Sequence, residues 1–445
     1  MSQTYDYDVV FIGAGHGAFD GAPALTAAGK TVAFIEEDRV GGTCPNWGCN
    51  AKIILEAPTK LLSEARQSNG IVEGPLSLDW SKAMQRKQEI IDGFAPAIQK
   101  GMEAAGIHFI FGHASFVDAH TLQVGDKQIT ADKVVIATGQ HSHRLDIPGK
   151  EYLHDSKDFL SIPEVPAKMV IIGAGFIGLE AASIMQTAGS QVTVILRDQQ
   201  ALPAFDRQYS DQLVKELARQ GVLFIKNTQV ERVEENGSSY SISTSTGSFP
   251  ANYILDATGR VPNTQGLNLE KVGIDFDGKG IVVNDYLQTT QKNIYATGDV
   301  VKKRQPKLTP TATFESQYVV SHILGEEKEP INYPAIAQTV FTAPRLAQAG
   351  VTIEEAKAKP DQYDLVEQDI MDDWYRLVDF ETPGQRTLIY NKDKQLVGVI
   401  ELSDKAEDVV NALLPAIEFG CKKEELKRLV TIFPSIGYSA LDNLG

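Results

Sequence analysis

The stretch YDVVFIGAGHGA, residues 7–18, decides how this chain begins to fold. Its first half is an apolar run, and the glycines of a tight turn follow at once. A second apolar run, residues 31–35, ends at the acid Glu36. This order of strand, glycine turn, helix, strand and acid is that of a βαβ unit that binds a dinucleotide, with the pyrophosphate at the helix N-terminus and the acid at the ribose. The residues predicted to hold the dinucleotide are Gly13, Gly15, Ala18 and Glu36.

A second glycine fingerprint repeats this arrangement 160 residues later. The apolar run KMVII, residues 168–172, leads into GAGFIG, residues 173–178, and a further apolar run, residues 191–197, follows a helical stretch. One such fingerprint is weak evidence, because many glycine turns join a strand to a helix. Two fingerprints, each with both flanking strands, predict an α/β chain with two Rossmann-like domains and two bound dinucleotides. The glycines of the second site are Gly173, Gly175 and Gly178.

Two cysteines, Cys44 and Cys49, lie between the fingerprints in the glycine-rich stretch GGTCPNWGCNAK, residues 41–52. Three cysteines in 445 residues do not make a structural disulfide framework, so a close pair is typical of catalysis or metal binding. Metal binding is the weaker alternative, because no Cys/His cluster supplies two further ligands nearby. A redox dithiol between two dinucleotide sites implies that a flavin and a nicotinamide exchange electrons with a disulfide. The third cysteine, Cys421, is predicted to be a small buried hydrophobe.

Composition and charge narrow the function classes. The chain has 42 Lys and Arg against 58 Asp and Glu, a formal net charge of −16, and an acidic surface repels nucleic acid. The chain opens without a basic and then apolar leader, and no apolar run approaches membrane-spanning length. We therefore expect about three domains, a cytoplasmic location and a small-molecule substrate, with neither nucleic acid nor a membrane as partner and no metal site.

The motifs together resemble the FAD-dependent pyridine nucleotide–disulfide oxidoreductases, the family of glutathione reductase, dihydrolipoamide dehydrogenase and mercuric reductase. The resemblance covers nearly the whole chain. Besides the fingerprints and the cysteine pair, it rests on ATG at 137–139, ATGRVPN at 257–263, YATGDV at 295–300, LTP at 308–310 and TVFTAP at 339–344. It implies FAD at the first fingerprint, NAD(P)H at the second, and a homodimer formed through a C-terminal α+β dimerisation domain.

The resemblance also implies a domain order. Residues 1–148 and 266–330 would form the FAD-binding domain, residues 149–265 the NAD(P)H-binding domain, and residues 331–445 the interface domain. Helices are predicted around residues 55–67, 81–105 and 406–419, and strands at residues 375–378 and 395–401.

Further site residues follow from the matched motifs. Asp299 would bind the ribityl chain of FAD, and Thr309 would lie beside the flavin. The basic run at residues 302–304 is predicted to be a solvated loop. The remaining cofactor-binding residues are Gly42, Thr43, Lys52, Ala114, Thr138, Gly139, Arg197, Gly259 and Arg260.

In this family electrons pass from the nicotinamide to the flavin and then to the disulfide. The resemblance makes Cys49 the thiol against the flavin and Cys44 the interchange thiol that attacks the substrate. The attacking species is the thiolate, which favours an electropositive and partly open site. Lys52 would pair with Glu180 near the reacting nitrogen of the flavin and aid hydride transfer.

The C-terminal segment departs from the family pattern. Family members have a histidine there, which acts on the partner subunit's interchange thiol as acid and base, and a glutamate that supports it. This chain has Phe433 in place of the histidine and Tyr438 in place of the glutamate, and phenylalanine cannot move a proton. His16 and Tyr438 are therefore the candidate replacements, with solvent as the alternative. Pro23 replaces the glutathione-binding arginine of glutathione reductases, which disfavours glutathione as the substrate.

The second fingerprint indicates the nucleotide. Its strand ends at Leu196 where NAD-specific members have an acid, and Arg197 suits a 2′-phosphate, so NADPH is predicted to be preferred, with NADH possible. The predicted enzyme passes electrons through Cys44 and Cys49 to a disulfide or oxidised sulfur substrate. The alternative is a flavin-dependent reductase of a metal ion, quinone or oxygen: both cysteines favour the first activity, and the missing histidine favours the second. A non-catalytic redox sensor is the third possibility.

Overall fold

The structure is a computed structural model that describes residues 5–68, 70–381, 384–442 and 444, apart from the side chain of Lys423. The chain forms two compact units. The first comprises Met1–Ile54, Met84–His143 and Arg260–Asn332, and the second comprises Leu55–Ala83, Arg144–Gly259 and Tyr333–Gly445. The limits of the predicted domains stay predictions.

Within the described residues the strands, numbered along the chain, are β1 (Tyr7–Ile12), β2 (Val32–Glu36), β3 (Ile107–Phe111), β4 (Ala114–Asp118), β5 (Thr121–Val124), β6 (Lys127–Ile136), β7 (Gln140–Ser142), β8 (Lys168–Ile172), β9 (Gln191–Ile195), β10 (Leu223–Ile225), β11 (Val230–Asn236), β12 (Ser239–Thr244), β13 (Gly247–Ala251), β14 (Tyr253–Asp256), β15 (Arg260–Pro262), β16 (Phe276–Asp277), β17 (Gly280–Ile281), β18 (Ile294–Ala296), β19 (Gln338–Val340), β20 (Arg345–Gly350), β21 (Tyr363–Asp369), β22 (Gln385–Asn391) and β23 (Leu396–Ser403).

The helices of the same residues are α1 (His16–Phe19), α2 (Pro23–Ala27), α3 (Thr43–Trp47), α4 (Cys49–Gln67), α5 (Trp80–Ile91), α6 (Phe94–Ala104), α7 (Ser156–Phe159), α8 (Phe176–Ala188), α9 (Arg207–Arg219), α10 (Thr309–Leu324), α11 (Ile353–Ala358), α12 (Trp374–Val378), α13 (Ala406–Glu418), α14 (Lys423–Leu426) and α15 (Ile436–Asp442). Short 3-10 helices span Lys150–Tyr152, Leu269–Val272 and Gly298–Val300. None of the helices in the described residues has the length and apolar character needed to cross a bilayer.

The first unit is built on a parallel sheet in the order β3, β2, β1, β6, with β18 on the far side of β6. Strands β4 and β5 extend it as an antiparallel hairpin. Val10 and Ile12 face one hydrophobic core, and Val9 and Phe11 face the other. A parallel sheet that is covered on both faces needs continuous apolar strands, which explains the apolar run that opens the chain.

The predicted helix after the first glycine turn is interrupted. Helix α1 ends at Phe19 and helix α2 begins at Pro23, so the proline occupies a helix start, where its missing N–H costs nothing. The gap accommodates helix α10. A Cβ atom on Gly21 would lie 2.5 Å from the carbonyl oxygen of Ser316, so only glycine allows this approach. The Ser316 hydroxyl accepts a hydrogen bond from the Gly21 N–H and donates one to the Ala18 carbonyl, both at 3.1 Å.

The second unit contains another parallel sheet, in the order β10, β9, β8, β14, with helix α8 between β8 and β9 along the chain. An antiparallel sheet of β11, β12 and β13 shares a hydrophobic core with it. The two predicted strand–turn–helix–strand units are therefore confirmed at the level of their strands.

The C-terminal part of the second unit is an antiparallel sheet in the order β19, β20, β23, β22, β21. Helix α13 packs on it through residues such as Val409 and Leu413, and the half-buried Cys421 packs against the same core. The strand predicted at residues 395–401 is found as β23, Leu396–Ser403, and the helix predicted at residues 406–419 is found as α13, Ala406–Glu418.

The structure differs from the sequence predictions in two segments, residues 375–378 and residues 81–105. The strand expected at residues 375–378 is helix α12, which begins where the Asp373 side chain accepts a hydrogen bond from the Tyr375 N–H at 3.0 Å. Its Arg376 is buried between Glu381 and Glu401, at 2.7 Å from each, and these ion pairs override the strand propensity of the segment. The helical pattern over residues 81–105 forms two helices, α5 and α6, with Gly93 at the start of the second.

Candidate active site

The first glycine turn forms a backbone cradle at the carboxyl ends of β1 and β6. Gly13 has φ +103°, and a Cβ atom there would lie 2.5 Å from the carbonyl oxygen of Ala137. The loop that precedes the cysteines closes the other side, because the Gly41 N–H donates to the Ala14 carbonyl at 2.9 Å. A Cβ atom on Gly42 would lie 3.1 Å from Cα of Gly15. Such close approach of bare backbone is what a pyrophosphate site requires.

Glu36 is buried at the end of β2 and holds this cradle. Its carboxylate accepts hydrogen bonds from the N–H groups of Ala14 and Asp38, each at 2.9 Å. Burial raises the pKa of Glu36, and the two backbone hydrogen bonds oppose that effect. Because each carboxylate oxygen has two acceptor positions, Glu36 retains the capacity to accept from a ribose hydroxyl as well.

The segment YATGDV, residues 295–300, is braced by a buried ion pair that the sequence did not reveal. Asp299 lies in the 3-10 helix Gly298–Val300, and the Gly298 N–H donates to Glu315 at 2.7 Å. The other oxygen of Glu315 accepts from Lys303 at 2.6 Å, and both side chains are buried. The predicted solvated loop at residues 302–304 is therefore wrong for Lys303. No local pattern reveals this pair, because the partners meet only when α10 packs beside the loop.

The two Ala-Thr-Gly segments differ in surroundings. Thr138 donates to the Asn263 carbonyl at 2.7 Å, and Gly139 has φ +67°. Arg260 donates to the Gln140 carbonyl at 2.5 Å, which places it in the first unit at the β7–β15 pair. Gly259, with φ +147°, is the last residue of the Arg144–Gly259 segment of the second unit. Ala114 opens β4 with its methyl group in the core, so any contact with a cofactor falls to its backbone.

The two cysteines lie in the first turns of two consecutive helices, α3 and α4. Cys44 is the second residue of α3, and Cys49 is the first residue of α4. The single residue between the two helices is Gly48, where a Cβ atom would lie 3.0 Å from the Thr43 carbonyl oxygen. Sγ of Cys49 lies 3.6 Å from Oγ1 of Thr309, the first residue of α10. A hydrogen bond with Cys49, followed by burial, raises the pKa of the Cys44 thiol. The two predicted redox thiols are therefore in mutual contact.

Asn46, between the two cysteines, is a site residue that the sequence did not reveal. Its buried amide donates to the carbonyls of Val40 and Gly42, at 3.0 and 2.9 Å. These bonds tie the cysteine segment to the glycine loop and so fix where Cys44 lies. A polar residue between the two cysteines of a glycine-rich loop is the only signal that could have indicated it.

The second glycine turn repeats the cradle. Gly173 has φ +106°, and a Cβ atom there would lie 2.5 Å from the carbonyl oxygen of Ala257. Gly178, in the first turn of α8, packs against this turn, and a Cβ atom there would lie only 2.1 Å from the Gly173 carbonyl oxygen. Leu196, after β9, is buried, whereas the side chain of Arg197 is 80% exposed and lies 3.6 Å from Asp198.

Comparison with known proteins decides the family. Residues 7–316 match the family model described as pyridine nucleotide-disulphide oxidoreductase, and residues 336–440 match the dimerisation domain of that family. The chain belongs to the pyridine nucleotide–disulfide oxidoreductase family. The resemblance inferred from the motifs and the predicted fold class are thereby confirmed.

Several members of this family align with most of the chain. A glutathione reductase of Nostoc sp. is 31% identical over 97% of this chain and 98% of its own. A mercuric reductase of Staphylococcus aureus is 33% identical over 95% of this chain and 79% of its own. The HOCl-induced flavoprotein disulfide reductase RclA of Escherichia coli superposes with a TM-score of 0.88 at 28% identity, over 98% of this chain and 99% of that chain. A Cu(II) complex of a cysteine-to-serine variant of RclA has also been solved.

Members of this family use FAD and a pyridine nucleotide. The first unit fits FAD by its chemistry: a bare glycine cradle for a pyrophosphate, a buried carboxylate beside it, and Asp299 in the segment after β18. These groups come from β1, β2 and the segment after β18, which the sheet brings to one edge.

Lys52 and Glu180 lie in different units, on α4 and α8, and their predicted pairing stays a prediction. Glu180 is buried, and its carboxylate accepts a hydrogen bond from the Phe341 N–H at 3.0 Å. This bond links the helix of the second glycine turn to the segment that opens the C-terminal sheet.

The C-terminal segment carries an aromatic cluster where the family has its histidine. The ring of Phe433 lies 4.9 Å from that of Tyr438 and 5.8 Å from that of Trp374, and Phe433 is 59% exposed. These three rings line a cavity of about 230 Å³. Tyr438 belongs to the second unit and the cysteine pair to the first, so its predicted catalytic role stays a prediction.

His16 lies at the start of α1, directly after the cradle glycine Gly15. Its Nδ1 atom lies 2.7 Å from Oδ2 of Asp20, and the hydroxyl of Thr313 donates to the same oxygen. The sequence indicated His16 but neither partner, because Thr313 comes from α10, almost 300 residues further along the chain.

Proposed function

We propose that this protein is an FAD-dependent NAD(P)H oxidoreductase that passes two electrons through Cys44 and Cys49 to a disulfide or oxidised sulfur substrate. The contact between the two thiols beside Thr309, at the edge of the sheet that carries the FAD-type cradle, supports this function above any other observation. FAD, when bound, supplies the route by which a hydride equivalent from the nicotinamide becomes an electron pair for the disulfide.

The chain's own residues have distinct roles in this proposal. Cys49 is the thiol on the flavin side and Cys44 is the interchange thiol. Lys52 and Glu180 form the pair that aids hydride transfer, and His16 or Tyr438 manages protons. FAD is held by Gly13, Gly15, Ala18, Glu36, Gly42, Thr43, Lys52, Ala114, Thr138, Gly139, Asp299 and Thr309, and the nicotinamide nucleotide by Gly173, Gly175, Gly178, Arg197 and Gly259. Arg260 is a further cofactor-binding residue.

NADPH is the proposed donor. Leu196 cannot accept a hydrogen bond from a ribose 2′-hydroxyl, whereas the exposed guanidinium of Arg197 can bind a 2′-phosphate. We also propose a cytoplasmic homodimer assembled through residues 331–445. The match to the dimerisation domain supports it, and so do the exposed apolar side chains Trp374, Leu377, Val430, Ile432 and Phe433.

A second function rests on a specific observation. RclA, which shares this fold at 28% identity, has been solved as a Cu(II) complex of a cysteine-to-serine variant. Reduction of a metal ion releases no thiolate from the acceptor, so no leaving group has to be protonated. The replacement of the family histidine by Phe433 would therefore not impair this reaction. Reduction of a metal ion by the Cys44–Cys49 dithiol is therefore the alternative to disulfide reduction.

The test is an anaerobic titration with NADPH, followed by a panel of disulfide, Cu(II), quinone and oxygen acceptors. We expect the wild type to take up two electrons more than its flavin accounts for, and to show the long-wavelength absorbance of a thiolate beside oxidised flavin. Cys49→Ser should lose that absorbance, and Cys44→Ser should keep it while losing disulfide reduction. Cys421→Ala is the matched control and should behave as the wild type.

Undiminished disulfide reduction by Cys44→Ser would overturn the proposed route. Reduction of Cu(II), but of no disulfide, by the wild type would favour the alternative function.

A further inference from the structure

His16 and Asp20 form a fixed pair rather than a loose surface contact. They are four residues apart across the end of α1, and their side chains are only 24% and 20% exposed. Because a carboxylate only accepts hydrogen bonds, the 2.7 Å contact places a proton on Nδ1 of His16. Among the described residues, Nε2 of His16 makes no hydrogen bond. Proton exchange at this ring is therefore directed to Nε2.

A second helix holds the carboxylate in place. The hydroxyl of Thr313, on α10, donates to the same oxygen of Asp20 that binds His16. Asp20 itself lies in the gap between α1 and α2, which Ser316 of α10 closes through the backbone of Ala18 and Gly21. An isolated helix surface pair would have no such support, so the carboxylate is preorganised.

Two separate connections link the elements that hold this pair to the segment that carries the thiols. On α10, Thr313 lies one turn after Thr309, about 6 Å along the helix, and Thr309 contacts Cys49. In the glycine cradle, Gly15, which precedes His16, approaches Gly42, which lies two residues before Cys44. All these residues belong to the first unit. Around the ring, the groups in contact are the carboxylate of Asp20 and the ring of Phe19, whose centroid lies 4.5 Å away.

We propose that His16 and Asp20 form an acid–base dyad within one subunit that serves the interchange thiol Cys44, with Asp20 as the residue that positions His16. The inference rests on the proposed function and deepens it, because it assigns to one chain the proton transfer that Phe433 cannot perform. It also defines the substrate class as disulfides whose leaving thiols need a proton.

The proposed reaction transfers two electrons and two protons from the dithiol to one substrate disulfide. Nε2 of His16 takes the proton of the Cys44 thiol, and the thiolate attacks one sulfur of the substrate disulfide RSSR. The Cys44–S bond forms, the S–S bond of the substrate breaks, and the first leaving thiolate takes the proton from His16. The Cys49 thiol then loses its proton and attacks Sγ of Cys44. The Cys44–Cys49 bond forms, the bond between Cys44 and the substrate sulfur breaks, and the second leaving thiolate takes the proton that Cys49 lost. The dithiol becomes a disulfide and RSSR becomes two RSH.

The test compares two disulfides that differ in the acidity of the leaving thiol. The aliphatic 2-hydroxyethyl disulfide releases a basic thiolate, which needs a proton to leave. In contrast, 5,5′-dithiobis(2-nitrobenzoate) releases a weakly basic aromatic thiolate, which leaves without one. We expect His16→Ala and Asp20→Asn each to lower kcat for the aliphatic disulfide by about 10²-fold, and for the aromatic one by only about 3- to 10-fold, the part that comes from slower deprotonation of Cys44. Because Asp20 acts through His16, the double variant should be no slower than either single variant.

Ser316→Ala is the matched control, because it loosens the junction between α1 and α2 without touching Asp20. It should leave the ratio of the two rates at the wild-type value. Equal loss of both rates in Asp20→Asn would overturn the proposal and make Asp20 a purely structural residue. An unchanged aliphatic rate in Asp20→Asn would also overturn it.

A separate measurement distinguishes failure of the dyad from failure of the proposed function. If the wild type reduces neither disulfide, the proposed function fails, and the rate of Cys44 alkylation by iodoacetamide in a Cys49→Ser, Cys421→Ala background still tests the dyad. Alkylation that His16→Ala and Asp20→Asn slow several-fold and non-additively supports it. Equal alkylation rates with and without His16 overturn it.

Discussion

The two glycine turns of this chain have the same backbone geometry but different surroundings. Gly13 and Gly173 have φ values of +103° and +106°, and each lies against the carbonyl oxygen of an alanine at the end of a neighbouring strand, at 2.5 Å from a hypothetical Cβ atom. The N–H groups of these glycines donate to Ile35 and Ile195 at 2.7 and 2.8 Å. The turn itself is therefore set by backbone geometry alone, whichever nucleotide follows.

The differences begin with the helix that follows each turn. Helix α8 runs unbroken from Phe176 to Ala188, whereas the corresponding helix after Gly13 stops at Phe19. The first helix is broken because α10 packs into the gap at Gly21. Asp20, which contacts His16, lies at this break, whereas the corresponding residue of the unbroken α8 is Glu180, which accepts from the Phe341 N–H instead.

The largest expected effect comes from substituting the first glycine of each turn. Alanine at Gly13 or Gly173 would need a left-handed backbone conformation and would overlap a carbonyl oxygen. We expect Gly13→Ala to be purified without FAD, and Gly173→Ala to keep FAD but lose reduction by NADPH by more than about 100-fold. Flavin absorbance per chain and stopped-flow reduction measure the two outcomes. Loss of FAD from Gly173→Ala alone would reverse our assignment of the sites.

The third fingerprint position should give the next largest effect. A Cβ atom on Gly178 would lie 2.1 Å from the Gly173 oxygen, whereas Ala18 is accommodated in the first turn. Gly178→Ala should lower the free energy of unfolding by about 1–3 kcal/mol and raise KM for NADPH. The reciprocal Ala18→Gly should cost about 1 kcal/mol. Equal and small costs in thermal unfolding would show that the two helices are packed alike.

The strand-end acid distinguishes the two sites chemically. Glu36→Gln removes one of the acceptors that hold the N–H groups of Ala14 and Asp38, which should weaken FAD binding by about 10-fold. Glu37→Gln is the matched control, since Glu37 is exposed beside it. Fluorescence titration of the apoprotein with FAD measures both affinities, and equal affinities in the two variants would contradict this role of Glu36.

Arg197 should give the smallest effect, because its side chain is 80% exposed and the surrounding water screens its charge. We expect Arg197→Ala to lower the ratio of kcat/KM for NADPH to that for NADH by about 10-fold. Arg232→Ala, also on the surface of the second unit, should leave the ratio unchanged. A wild-type enzyme with no preference between the two nucleotides would contradict the prediction of NADPH.

Much of the candidate site could be predicted from the sequence. The glycine turns, Glu36 and the cysteine pair each depend on residues close together along the chain, and the structure brings the thiols of Cys44 and Cys49 into contact. The strand predicted over residues 375–378 was wrong for the opposite reason. Arg376 there binds Glu401, a residue of β23 that local propensity cannot take into account.

By itself, the sequence determined the family, the two glycine turns and the presence of a close cysteine pair, because glycine and cysteine impose their geometry and chemistry locally. Three contacts were decided only by the tertiary structure. The side chain of Lys303 is buried against Glu315, α10 packs against Gly21, and Thr313 donates to the Asp20 carboxylate that contacts His16. The physical reason is that a hydrogen bond or ion pair between side chains depends on distances of a few ångströms. Those distances are set by how α10 packs on the first glycine helix, and no spacing along the chain encodes them.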